Sequence, residues 1–147
     1  MTPNTTADTP YETPDLLRSM EPARCLQLLE AVQYGRLATV EDARPLLVVV
    51  NHIVSDGDIY IRTRPEARLA RLTENGRVVP AVYEVDSAFP AGQSGWSVMA
   101  TGRLQREDGV MPSARLRSRL TAWAQGERDV VLRLEVQELR GRAVGLP

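Results

Sequence analysis

The sequence predicts a mainly β protein: one antiparallel barrel of about six strands, with three helices at its periphery. Apolar residues alternate with a period of two in several runs, as half-buried strands require. Asp56-Gly57 sits between two of these runs and signals a tight hairpin. The strands follow one another mostly without segments long enough to cross over, which favours antiparallel over doubly wound parallel pairing.

The elements follow in chain order. Residues 1–14 hold five Thr and three Pro without periodicity and are expected to form a flexible arm, with the folded domain spanning 15–147. In SMEPARCLQLLEAV, Ser19 is a candidate helix cap, and Cys25, Leu28, Leu29 and Val32 make one apolar stripe. Strands are expected in RLATV, RPLLVVVNHIV and DIYIRT, the last two forming the Asp56-Gly57 hairpin. A helix from about Pro65 to Glu74 should end at Asn75-Gly76, where glycine can take the left-handed cap. Strands follow in RVVPAVYEVD, GWSVMATGRLQ and DVVLRLEV, with a short one in LRGRAV. Between the last long runs, Leu116, Leu120 and Trp123 follow Pro112 at helical spacing.

Composition sets limits on function. The chain has 147 residues, enough for one domain that buries about two thirds of its unfolded surface. All 18 cationic residues are arginine, balanced by 19 acids to a net charge of -1, so no global positive field attracts nucleic acid. One cysteine and one histidine can form neither an internal disulfide nor a His-rich metal site. No apolar run approaches the roughly 20 residues of a membrane span, and the first residues lack a signal core. The expectation is a cytoplasmic protein without nucleic-acid or membrane partners.

The stretch IYIRTRPEARLARL concentrates charge at one strand-to-helix corner, with arginines at 62, 64, 68 and 71. Two roles fit them. Unpaired N–H groups at a helix start attract anions, and Arg62, Thr63 and Arg68 could hold a phosphate there. Alternatively, Thr63 and Glu66 form a T-x-x-E capping box, and the arginines solvate an exposed helix face. His52 alternates with Val48 and Val50 and is expected to be an ordinary strand residue facing away from Asn51. Glu84 and Asp86 share a strand face and are expected at a solvated edge. No nucleophile motif accompanies the single histidine, so redox chemistry would require a cofactor.

The order GRLATVEDARPLLVVVNHIVSDGDIYIRTRPEARLARL, VVPAVYEVDS and GWSVMATGRLQ resembles the pyridoxamine 5'-phosphate oxidase-like family of FMN-binding split β-barrels, from about Glu21 to Arg142. The resemblance implies a homodimer with two FMN sites at the subunit interface and a small-molecule substrate. It places Val49, Val50 and Asn51 along the isoalloxazine ring and Arg62, Thr63 and Arg68 at the phosphate. Trp96 and Ser97 match the strand that closes the ring's other edge, and Trp123 and Arg133 would come from the second subunit. It implies an FMN-dependent oxidoreductase that moves hydride from a donor to a small organic acceptor. A deazaflavin coenzyme in the same groove, or a flavin-binding module without turnover, are the alternatives. The chain ends at GRAVGLP, without the tryptophan-and-arginine motif of the true oxidases, so their substrate is not expected. Haem is disfavoured because the sole histidine follows Asn51 in an expected strand and no other strong axial ligand stands out.

Overall fold

The computed structural model describes residues 17–87, 94–109, 114–122 and 130–145. The 1–14 arm, Pro112 and Trp123 lie outside the described residues. Among the described residues, eight strands and three α-helices occur in the order β1 (Leu17–Met20), α1 (Pro22–Ala31), β2 (Tyr34–Glu41), β3 (Arg44–Asn51), β4 (Ile53–Ser55), β5 (Asp58–Thr63), α2 (Arg68–Leu72), β6 (Val79–Asp86), β7 (Gly95–Arg106), α3 (Ala114–Ala122) and β8 (Val130–Val144). All strand pairs are antiparallel, in the order β3-β2-β6-β7-β8-β5-β4, with β1 added to β8. The sheet curls until β3 passes against β5, giving a split barrel. Among the described residues, no helix is long and apolar enough to cross a membrane.

The core fills the inside of the curl. Leu37, Ile59, Ile61, Tyr83, Val98, Ala100, Leu104, Leu132 and Leu134 are buried there under Cys25, Leu28 and Leu29 of α1. Burial of each large apolar side chain contributes about 1.5–3 kcal/mol. Ile53, Tyr60 and Leu116 form a smaller cluster that seats α3 on the outside of β5.

The hairpin expected at Asp56-Gly57 joins β4 and β5, with φ of 51° and 81° at the two turn residues. The run 44–55 is broken at His52, whose N–H bonds the Gln33 carbonyl at 3.0 Å; His52 and Ile53 are then both buried and the alternation slips. This splits one expected strand into β3 and β4. Residues 139–144 are not a separate strand. They continue β8, whose register against β7 shifts at Thr101/Gly102, so that its second half pairs with both β7 and β1.

Three expectations about helix ends are corrected. Ser19 lies in β1, and α1 begins after Glu21 with Pro22 in its first turn and no side-chain cap. The second helix is only Arg68–Leu72, with Ala67 at its start and no side-chain cap, so Thr63 and Glu66 form no capping box. Pro65 disfavours a helical Arg64, and the chain turns through 64–67, where Ala67 N–H bonds the Arg64 carbonyl at 3.0 Å, before the helix can start. Glu74–Gly76 form a separate 3-10 turn after it, with Asn75 and Gly76 left-handed.

Candidate functional site

The site is built on the outward face of the sheet's edge strand. β2 and β3 meet in a two-residue turn, Asp42-Ala43, with φ of 49° and 59°. From there β3 alternates: Leu46, Val48 and Val50 pack against the core, while Leu47 and Val49 stand 64% and 66% exposed. Ala38 and Arg36 of β2 lie opposite them. Of the three residues assigned to the ring, Val49 and Asn51 are exposed and Val50 points inward. Two large aliphatic side chains facing water from an edge strand make a surface that calls for a cover.

The arginine corner lies at the other end of this strand. Arg68 is the first residue of α2, not one turn inside it, and its side chain is 63% exposed. Its guanidinium holds the carboxylate of Glu41, the last residue of β2. With Asp42 and Arg44 the pair lines a cleft of about 350 Å³. Arg62 and Thr63, both half-buried, end β5 with side chains on opposite faces, Arg62 on the face of Tyr60 and Thr63 on that of Ile61. The two therefore do not flank a helix start, and four residues separate Thr63 from α2.

Two arginines from outside the corner serve the other end of the helix. Arg77 Nη2 donates to the Arg71 carbonyl at 2.6 Å, and Arg106 Nη2 to the Ala70 carbonyl at 3.0 Å. The Thr73 hydroxyl lies 3.0 Å from the Leu69 carbonyl and 3.1 Å from that of Ala70. Cations there complement the negative end of the helix and satisfy carbonyls that a five-residue helix leaves open.

The other residues taken from the resemblance are dispersed within one protomer. Trp96 is half-buried and packs toward the core, whereas Ser97 faces outward opposite Asp86 of β6. β7 is three strands from β3, roughly 14 Å at about 4.8 Å per strand, so Ser97 and Val49 cannot grip one edge of the same ring in one protomer. Arg133 is engaged internally: its Nε and Nη2 lie 2.8 and 2.6 Å from Asp58 Oδ2, while Asp58 Oδ1 accepts the Val136 N–H at 3.0 Å. Glu84 and Asp86 are counter-ions of Arg36, at 2.6 and 2.8 Å from Nη2, at the outward face where a solvated edge was expected.

Two features were not read from the sequence. Arg44 and Glu41 belong to the Arg68 cleft; the only signal was that E-D-A-R brings two acids and an arginine to one tight turn. His52 anchors β3 from the inside. Its Nε2 donates to the Leu29 carbonyl at 2.8 Å, so in the neutral ring Nδ1 accepts from the Tyr83 hydroxyl at 2.7 Å, which also lies 3.2 Å from the Val50 carbonyl. Burial lowers the pKa of His52 and raises that of Tyr83, keeping both neutral. Gly35 permits this contact, because a Cβ there would lie 2.5 Å from the Glu84 carbonyl oxygen and 2.7 Å from the Tyr83 ring and hydroxyl.

Comparison with known proteins agrees with this fold. The family model described as pyridoxamine 5'-phosphate oxidase matches residues 21–143. The Mycobacterium tuberculosis protein Rv0080 is 33% identical over 119 residues, covering 79% of this chain and 78% of that protein. A FAD-binding protein of Mesorhizobium loti superposes with a TM-score of 0.71 at 23% identity, over 89% of this chain and 98% of that one. The FAD-binding protein of Mycobacterium smegmatis gives a TM-score of 0.66 at 22% identity, over 87% and 98%. At these identities the two structures speak for the fold alone, but the family match spans most of the chain, which belongs to the pyridoxamine 5'-phosphate oxidase family.

Proposed function

We propose that the protein is an FMN-binding oxidoreductase acting on a small organic substrate, with the cofactor laid along the outward face of β3. The observation that supports this most is the arrangement of that strand: exposed Leu47 and Val49 on its outward face and the cleft of Arg44 and Arg68 at its far end, where Arg44 alternates onto the opposite face, so that a phosphate there would round the end of the strand. Five residue steps along the strand take Arg44 to Val49, roughly 17 Å at about 3.3 Å per step. That spacing suits a planar ring joined through a ribityl chain to a phosphate. Leu47 and Val49 would take the ring, and Arg68 with Arg44 the phosphate; Arg62 and Thr63 stand behind them at the end of β5.

When bound, the flavin would supply the two-electron carrier between a hydride donor and the acceptor. The chain's own part is to present an apolar wall, exclude water and hold the anion. His52 would not bind haem iron, since both its ring nitrogens already have partners. A second copy of the chain would complete the site by covering Leu47, Val49, Val40 and Met99, all exposed. It would bring a second Ser97 and β8 within reach of the ring, which one protomer cannot do.

FAD is the second reading, favoured by the FAD-binding proteins that share the fold and by Glu41 and Asp42, which offset the positive charge where a terminal phosphate would sit. The absorbance spectrum of the purified protein, followed by chromatography of the released cofactor, distinguishes them. Near-stoichiometric FMN supports the first reading and FAD the second. A colourless protein that takes up neither added flavin contradicts both, and uptake of deazaflavin alone would place that coenzyme in the groove.

A further inference from the structure

A separate depression of about 490 Å³ lies where β8 runs between β1 and β7. The register places Arg142 directly between Ser19 of β1 and Ser97 of β7. Residues directly opposite across a ladder share a face, so a hydroxyl, a guanidinium and a second hydroxyl form one row across three strands. In the adjoining row Met99 stands opposite Arg140.

The other arginines of this face have acidic partners. Arg140 Nε and Nη2 each lie 2.6 Å from Glu138 Oε1, Arg103 Nη2 lies 3.2 Å from Glu135, and Arg36 holds Glu84 and Asp86. Arg142 is exposed and has no ion-pair partner among the described residues. It carries a planar fork of donors, and each flanking hydroxyl adds another.

The geometry points to an oxyanion site here: the carboxylate of a small organic acid is held by Arg142 with the Ser19 and Ser97 hydroxyls, and its apolar body lies against the exposed side chain of Met99. One guanidinium beside neutral donors matches a single negative charge better than the near-double charge of a phosphate monoester. The walls add apolar surface that an inorganic anion would not use. Ser97 and Met99 belong to the face that the proposed second copy would cover, but the charge that defines the site, Arg142, lies on β8, away from the arginines of the corner, so losses of benzoate and of flavin can be read separately.

Titration calorimetry of the full chain with benzoate, benzamide and inorganic phosphate tests the site. Benzoate is expected to bind saturably and benzamide, which lacks the charge, much more weakly. Arg142→Gln should weaken benzoate roughly tenfold or more, a tenfold loss being about 1.4 kcal/mol, and Arg142→Lys should retain part of the affinity. Arg103→Gln, an exposed arginine of the same face, is the control and should change nothing. Because Arg142 is exposed and has no ion-pair partner among the described residues, its variants are expected to stay folded, which circular dichroism checks, and flavin affinity measured on the same variants keeps the two assignments separate. No saturable benzoate binding, or equal losses in Arg142→Gln and Arg103→Gln, would overturn the site. Phosphate binding tighter than benzoate and lost with Arg142 would overturn the carboxylate assignment.

Discussion

The guanidinium of Arg68 is held by the carboxylate of Glu41, which ties the first turn of α2 to the end of β2. The arginine assigned to a phosphate therefore already has an anion. A phosphate must displace Glu41 or share Arg68 with it, and such a pair, with the arginine largely exposed, contributes only about 0.2–1 kcal/mol.

Glu41→Gln should accordingly strengthen FMN binding by up to about fivefold, the equivalent of about 1 kcal/mol, and leave riboflavin unchanged. Fluorescence titration with the two flavins measures this. Weaker FMN binding in the variant would mean that Glu41 orients Arg68 for the phosphate and does not compete with it.

If the proposed dimer covers β3, Leu47→Asp is expected to yield a monomer and to weaken flavin at the same time, because in that proposal one exposed apolar strip serves the partner and the ring. Sedimentation velocity and flavin titration on one preparation read both. A variant that stays dimeric and binds flavin normally would remove the outward face of β3 from the account.

The turn residue Ala43 is left-handed at φ 59°, where a β-carbon costs about 1 kcal/mol and a β-branched side chain more. Ala43→Val should destabilise the protein by about 1–2 kcal/mol although the position is exposed, whereas Ala43→Gly should be neutral or stabilising by up to about 1 kcal/mol. Urea unfolding of the two variants gives the difference, and a fully tolerated valine would contradict the turn geometry.

His52 makes stability depend on pH. Its folded-state pKa lies below the ordinary 6.5 because burial disfavours the charged ring. Between the two values the unfolded chain binds more protons, so the contribution is complete above about pH 6.5 and is lost as the pH falls toward the folded value. Unfolding free energies measured from about pH 7.5 down to 5 should decline, and His52→Gln should flatten the decline. An unchanged slope in the variant would assign the effect to other groups.

Much of this was legible in the sequence, for local reasons. Cys25, Leu28 and Leu29 face the core because helical spacing aligns them, and Asp56-Gly57 turns because both residues accept positive φ. What could not be read depends on distant partners. The break at His52 requires the Gln33 carbonyl and the Tyr83 hydroxyl, both outside its strand. The late start of α2 is local, yet Pro65 after Thr63 looked like an ordinary first helical residue; only the turn through 64–67 separates the cases. Arg133 is indistinguishable in sequence from a ligand-binding arginine until Asp58 is placed against it. Arg68, conversely, was read as an anion-binding residue, and the structure supplies the anion from within the chain.

The most direct test is to titrate the wild-type protein, Arg68→Ala and Arg71→Ala with FMN and with riboflavin, which shares the ring and lacks the phosphate. The account predicts that Arg68→Ala weakens FMN about tenfold, an effect that shrinks with added salt, while riboflavin and the Arg71→Ala control remain at the wild-type value. Unchanged FMN affinity in Arg68→Ala, or an equal loss for riboflavin, would contradict a phosphate at this corner.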